Sequence, residues 1–126
     1  MGRLFIMLAA SSGLLAVAFG AFGAHALKGR LDNYALGVYQ TAVDYHITHS
    51  LALLAVGLMC LWYPQASLLR LSGIAFAVGI LIFSGTLYVL ALSGLKWLGA
   101  VTPLGGLALM LGWGALAVAA WRLPAQ

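Results

Sequence analysis

Along this chain the polar positions fall in narrow bands between four long apolar runs, at about residues 4–27, 41–63, 68–92 and 97–121. A helix needs roughly 20 apolar residues to cross a hydrocarbon core of about 30 Å, and each run is that long. None alternates with the period of a half-buried strand, and an open sheet leaves backbone groups unsatisfied in lipid. A closed barrel needs more strands than the chain can supply. The pattern predicts an all-α protein, a four-helix bundle of membrane spans forming one domain over residues 1–126.

The polar bands predict the connections. In "KGRLDNYALGVYQ", Asp32 is a candidate N-cap, and Leu31, Tyr34, Ala35 and Val38 follow at helical spacing. A short interfacial helix over residues 32–40 is expected before the second span, with Tyr34 and Tyr39 at headgroup level. "YPQAS" and "SGLKW" read as tight turns, anchored by Trp62, Tyr63 and Trp97. The first run ends in "AHA" at 24–26, which resembles a signal-peptide cleavage site. The run is longer than a signal core, so it is expected to remain as a span.

Composition sharpens this picture. Hydrophobic residues make up 64% of the chain and charged residues 6%, with a mean hydropathy of +1.08. Soluble domains are about 25% charged, so a water-covered surface is excluded and the bilayer is the expected partner. The net charge of +4 comes from isolated residues: Arg3, Lys28, Arg30, Arg70, Lys96 and Arg122. They form no basic patch, so nucleic acid is not an expected partner. Arg3, Arg70 and Arg122 fall on one side and Lys28, Arg30 and Lys96 on the other. The positive-inside count is therefore tied, and only the N-terminal amine favours cytoplasmic termini. The single Cys60 excludes an internal disulfide and a cysteine-based zinc site.

Small residues recur at helical spacing: Ala16, Gly20 and Ala24, then Gly73 and Ala77, then Ala108, Gly112 and Ala115. Such stripes let backbones approach where lipid supplies no hydrophobic drive. Gly20, Gly23, Gly85, Gly105, Gly106 and Gly112 are the expected packing positions. "TPLGG" is no phosphate loop, because no strand precedes it.

The candidate chemistry lies in one leaflet. With alternating spans, His25, Gln40, Thr41, Asp44, Tyr45, His46, His49, Ser50, Ser84, Thr86, Tyr88 and Thr102 approach one membrane face. The other face receives little beyond Ser11, Ser12, Ser67 and Ser72. If span two starts near Val43, His49 lies roughly 9 Å below that start. His46 and His49 are three residues apart and share a helix face. Ionisable side chains in a membrane face the bundle interior, so both are expected to point inward, toward His25 and the hydroxyls of spans three and four. Interhelical hydrogen bonding is one reading of the cluster. Ligation of a metal or haem by His25, His46 and His49, with Asp44, is another. A polar pocket for a lipid headgroup or quinone is a third, and proton-linked transport a fourth. No Ser–His–Asp arrangement or carboxylate pair stands out, so an enzyme is not expected.

Three stretches, "GAFGAHALK" at 20–28, "YQTAVDYHITHSLALL" at 39–54 and "FSGTLYVLALSG…LGAVTPLGGLALMLGW" from 83 to 113, resemble one family. It is the YgdD/YwdK type of small bacterial inner-membrane proteins, a domain-of-unknown-function family with relatives in eukaryotic membranes. The match runs through Gly20, Gly23 and His25; Tyr45, His46 and His49; Ser84, Gly85, Leu87 and Tyr88; and Thr102, Pro103, Gly105, Gly106, Gly112 and Trp113. The resemblance implies a four-span protein of the cell membrane and no reaction. Its departure is His46, where the family pattern often has Gln, which shifts a metal reading toward His25 and His49.

The expected function is a small membrane protein that acts by binding, as an accessory or membrane-stabilising component. Its pocket would be lined by His25, Asp44, Tyr45, His46, His49, Ser84, Tyr88 and Thr102. The alternatives are a metal-, haem- or quinone-binding protein that uses the histidines, and a small oligomeric transporter. The cofactor stays open, and a homo-oligomer or larger membrane complex is compatible with the small-residue stripes.

Overall fold

A computed structural model describes residues 1–124. Four helices follow one another: α1 (Gly2–Phe22), α2 (Asn33–Trp62), α3 (Ser67–Ser93) and α4 (Leu98–Arg122). α1 continues into a π-helical turn over Gly23–Leu27. All four are long and apolar enough to cross a membrane, and the described residues contain no strand. The fold is the all-α four-helix arrangement that the apolar runs predict.

The connections are made as their residues dictate. The Asp32 side chain accepts the Ala35 N–H at 2.7 Å, so the predicted cap forms. It opens a single uninterrupted helix of 30 residues. The expected interfacial helix over residues 32–40 is therefore helical but not separate: it is the first turns of α2. Nothing in "NYALGVYQTAV" breaks the helix, since it holds no Pro and its one glycine, Gly37, keeps to the helix. At 1.5 Å per residue α2 is about 45 Å long, more than the hydrocarbon core needs. Gly29 (φ 90°) and Gly94 (φ 73°) take the left-handed conformation that ends α1's extension and α3.

The helices do not close into a ring. α1 packs on α2, α2 on α3 and α3 on α4, while α1 and α4 lie apart. The α2–α3 seam is thus the centre, flanked by α1 on one side and α4 on the other. The main core joins Phe5, Leu53, Val56, Leu69, Phe76 and Leu109. Outward residues such as Leu14, Leu81, Met110 and Trp121 are exposed, as lipid-facing side chains must be.

Glycines set the closeness of several crossings, though not all the expected ones. A methyl group at Gly105 would run into the backbone of Phe83, at Gly112 into the Phe76 ring, and at Gly23 into the Tyr39 ring. Gly20 makes ordinary contact with Val43 at 3.4 Å. Gly85 corrects the expectation: a methyl group there would meet nothing within 4 Å. Gly106 is nearly as open, with only the Phe83 ring at 3.8 Å. Both line clefts rather than close contacts. Gly73, of the α3 stripe, crosses tightly against Phe5, and Gly79 against Leu109 supplies a tight crossing outside the expected positions.

Candidate functional site

His46 and His49 are buried in α2, each 5% exposed. They face opposite flanks of the α2–α3 seam. His46 turns toward α1, where Nε2 lies 3.0 Å from Ser12 Oγ and Nδ1 lies 2.9 Å from the Tyr88 hydroxyl of α3. His49 turns toward α4 and meets the indole of Trp113.

Counting hydrogens fixes the direction of every bond around His46. The Ser50 hydroxyl donates to the His46 carbonyl at 2.7 Å, because a carbonyl only accepts. Its one hydrogen is then committed. In the 2.6 Å Ser12–Ser50 pair, Ser12 must therefore donate. With its own hydrogen used, Ser12 accepts from His46 Nε2–H. In the neutral ring Nδ1 is then the acceptor of the Tyr88 O–H. One directed chain runs Tyr88, His46, Ser12, Ser50 and back to the His46 carbonyl, and ties α1, α2 and α3 together.

His49 takes the opposite tautomer. Its Nδ1 lies 2.8 Å from the Tyr45 carbonyl, so Nδ1 carries the hydrogen. Its Nε2 accepts the Trp113 N–H at 3.1 Å. The Tyr45 ring stacks on the imidazole, with centroids 5.6 Å apart and planes 15° apart. All four ring nitrogens of the two histidines are thus occupied, and neither ring keeps a free lone pair for a metal.

His25 is not part of this arrangement. It sits in the π-helical turn after α1, exposed, and makes no side-chain hydrogen bond among the described residues. Here Gly23 admits the Tyr39 ring, and the Tyr39 hydroxyl donates to the Phe19 carbonyl. Asp44 is exposed as well and accepts the Gln40 side-chain N–H at 2.8 Å. Among the described residues, no three of His, Cys, Asp and Glu gather closely enough to hold a metal ion. The expected set of His25, His46, His49 and Asp44 is therefore corrected: α2's helical turn and the π turn send these groups in separate directions.

The remaining predicted polar residues act as local ties. Ser84 of α3 donates to the Ala42 carbonyl of α2 at 2.8 Å. Thr86 and Thr102 join α3 to α4, with their hydroxyls 2.7 Å apart. No buried side-chain nitrogen or oxygen lacks a partner among the described residues. Ser12 and Trp113 are the site residues that sequence reasoning missed. The sequence pattern puts Ser12 toward the other face, yet its bonds to His46 and Ser50 bring all three near one depth.

Each histidine closes the floor or wall of a lateral cleft. The α1–α3 cleft encloses about 340 Å³ and is bordered by Leu8, Leu15, Phe19, Ile80, Gly85 and the His46 network. The α2–α4 cleft encloses about 710 Å³ and runs between Asp44, Tyr45, Thr48 and His49 on one side and Pro103, Gly106, Leu107, Met110 and Trp113 on the other. A Ser–His pair beside a cleft invites a catalytic reading, but its polarity is wrong for one. His46 donates to Ser12, and the Ser12 proton points to Ser50, so the imidazole is not placed as the hydroxyl's base. No carboxylate touches either ring among the described residues.

Comparison with known proteins fits these features. The profile of the DUF423 family, described as a protein of unknown function, matches residues 19–106. The membrane protein YwdK of Bacillus subtilis is 41% identical over 94% of this chain and 96% of its own length. The membrane protein SAB0533 of Staphylococcus aureus is 38% identical over 95% and 97%. The inner membrane protein YgdD of Escherichia coli is 37% identical over 96% and 92%.

The chain belongs to DUF423.

No solved structure gives a significant match. Membership of this family, with four spanning-length helices, establishes an integral membrane protein. The DUF423 profile covers His46, His49, Ser84, Tyr88 and Thr102, while Ser12 and Trp113, the partners that fix the two tautomers, lie outside its bounds.

Proposed function

We propose that this DUF423 protein acts by binding, as an accessory component of a bacterial inner membrane, and not by turnover or metal chemistry. The observation that carries the reading is the saturation of both interior imidazoles in opposite tautomers, each beside a cleft that stays open. The polar groups hold the helices, while the clefts offer apolar walls to a molecule dissolved in the bilayer. An inner-membrane location follows the relative YgdD, which is named as an inner membrane protein.

Native mass spectrometry of the protein released from a mild detergent, with elemental analysis of the same sample, tests this. The reading expects added mass from a membrane amphiphile and no stoichiometric metal. One metal per chain, lost on His49→Ala, would overturn it.

A further inference from the structure

The α2–α4 cleft has a direction. At one end stands Asp44, the sole acidic residue of any span. Its Oδ1 accepts from Gln40, and Oδ2 has no partner among the described residues. Among the described residues no Lys or Arg pairs with it, although Lys28, Arg30 and Lys96 are expected on the same membrane face. A carboxylate at the edge of hydrocarbon is costly without a counter-cation, and no described residue supplies one.

Beside Asp44 is the half-exposed ring of Tyr45, 44% exposed, and the Trp113 ring, 45% exposed, closes the far end of the cleft against His49. Further along, the lining becomes apolar through Leu107 and Met110. From Pro103 to Trp113, α4 rises by about 15 Å at 1.5 Å per residue. Asp44 precedes His49 in α2 and faces the Pro103 end of α4, so the acidic end is the one nearer the membrane face and the cleft deepens from there toward Trp113. Acid and aromatic faces together recognise an ammonium group, and the apolar length suits the hydrocarbon attached to it. The cleft opens sideways to lipid between α2 and α4.

From this charge complementarity we infer that the α2–α4 cleft is a site for a bilayer lipid with an ammonium headgroup, whose cation pairs with Asp44 and whose chain lies along Leu107 and Met110. The inference rests on the binding reading above and names its ligand class. It needs no metal and no covalent step.

The test reconstitutes the full chain in nanodiscs of equal parts phosphatidylethanolamine and phosphatidylglycerol, then releases it for native mass spectrometry. The expected result is retention of phosphatidylethanolamine over phosphatidylglycerol by at least about tenfold, the ratio given by roughly 1.4 kcal/mol of differential affinity. Asp44→Asn, an exposed change that keeps a partner for Gln40, should abolish the preference while the protein stays folded. Gly106→Leu, which fills the cleft from α4, should reduce retention of both lipids. Equal retention of the two lipids by the wild type would overturn the ammonium assignment and leave the binding reading intact. An unchanged preference in Asp44→Asn would also overturn it. Retention of no lipid at all would remove both.

Discussion

The indole N–H of Trp113 and Nε2 of His49 are 3.1 Å apart, and this bond joins two helices, α2 and α4, that otherwise scarcely touch. It closes the deep end of the larger cleft and fixes the His49 tautomer. Removing the donor leaves a buried nitrogen without a partner.

Trp113→Phe should therefore destabilise the bundle, and His49→Phe in the same background should recover part of the loss. Interhelical hydrogen bonds in membranes contribute about 0.6 kcal/mol on average and at most about 1.7. A double-mutant cycle by reversible unfolding in detergent should return a coupling energy in that range. A coupling of zero would mean that the two groups do not act together.

The chain around His46 gives a graded series. His46→Leu strips a donor from Ser12 and an acceptor from Tyr88, whereas His46→Gln keeps one of each. The Leu variant should lose about 1–3 kcal/mol, the cost of orphaned buried polar groups, and the Gln variant less. Unfolding midpoints measured side by side check the order. Equal losses would contradict the directed chain.

Two glycines separate close packing from open space. Gly105→Ala should cost about 1–3 kcal/mol, the usual penalty for overpacking, because its methyl group meets the Phe83 backbone. Gly85→Ala should stay within about 0.5 kcal/mol, as a substitution into space does. Thermal stability of the two variants in one detergent measures the contrast.

These residues show what the sequence makes legible. Four apolar runs and the capping Asp32 announced the helices, because length and polarity alone decide them. The cost of a bare imidazole in lipid required His46 and His49 to find partners, and they did. Which partners depended on axial register and helix rotation. Ser12 sits near the middle of α1, so its place in the first apolar run does not reveal that it reaches the depth of His46 and Ser50. Gly85 fits the small-residue stripe in sequence, but the stripe does not reveal which of its members face a helix and which a gap. His25 shares its region with the cluster and is turned away by the π-helical turn, a change of pitch with no marker in the local composition. Trp113 carried no sign of its role, because only the rotation of α4 aims its N–H at His49.

The central claim is that both interior histidines are saturated hydrogen-bond connectors of opposite tautomer. Nitrogen-15 NMR of the histidine-labelled protein in micelles tests it most directly, with His46→Gln and His49→Ala assigning the signals. The account predicts a protonated Nε2 and bare Nδ1 for His46, and the reverse for His49. The same tautomer at both positions, or a ring nitrogen shifted by a bound metal, would contradict it.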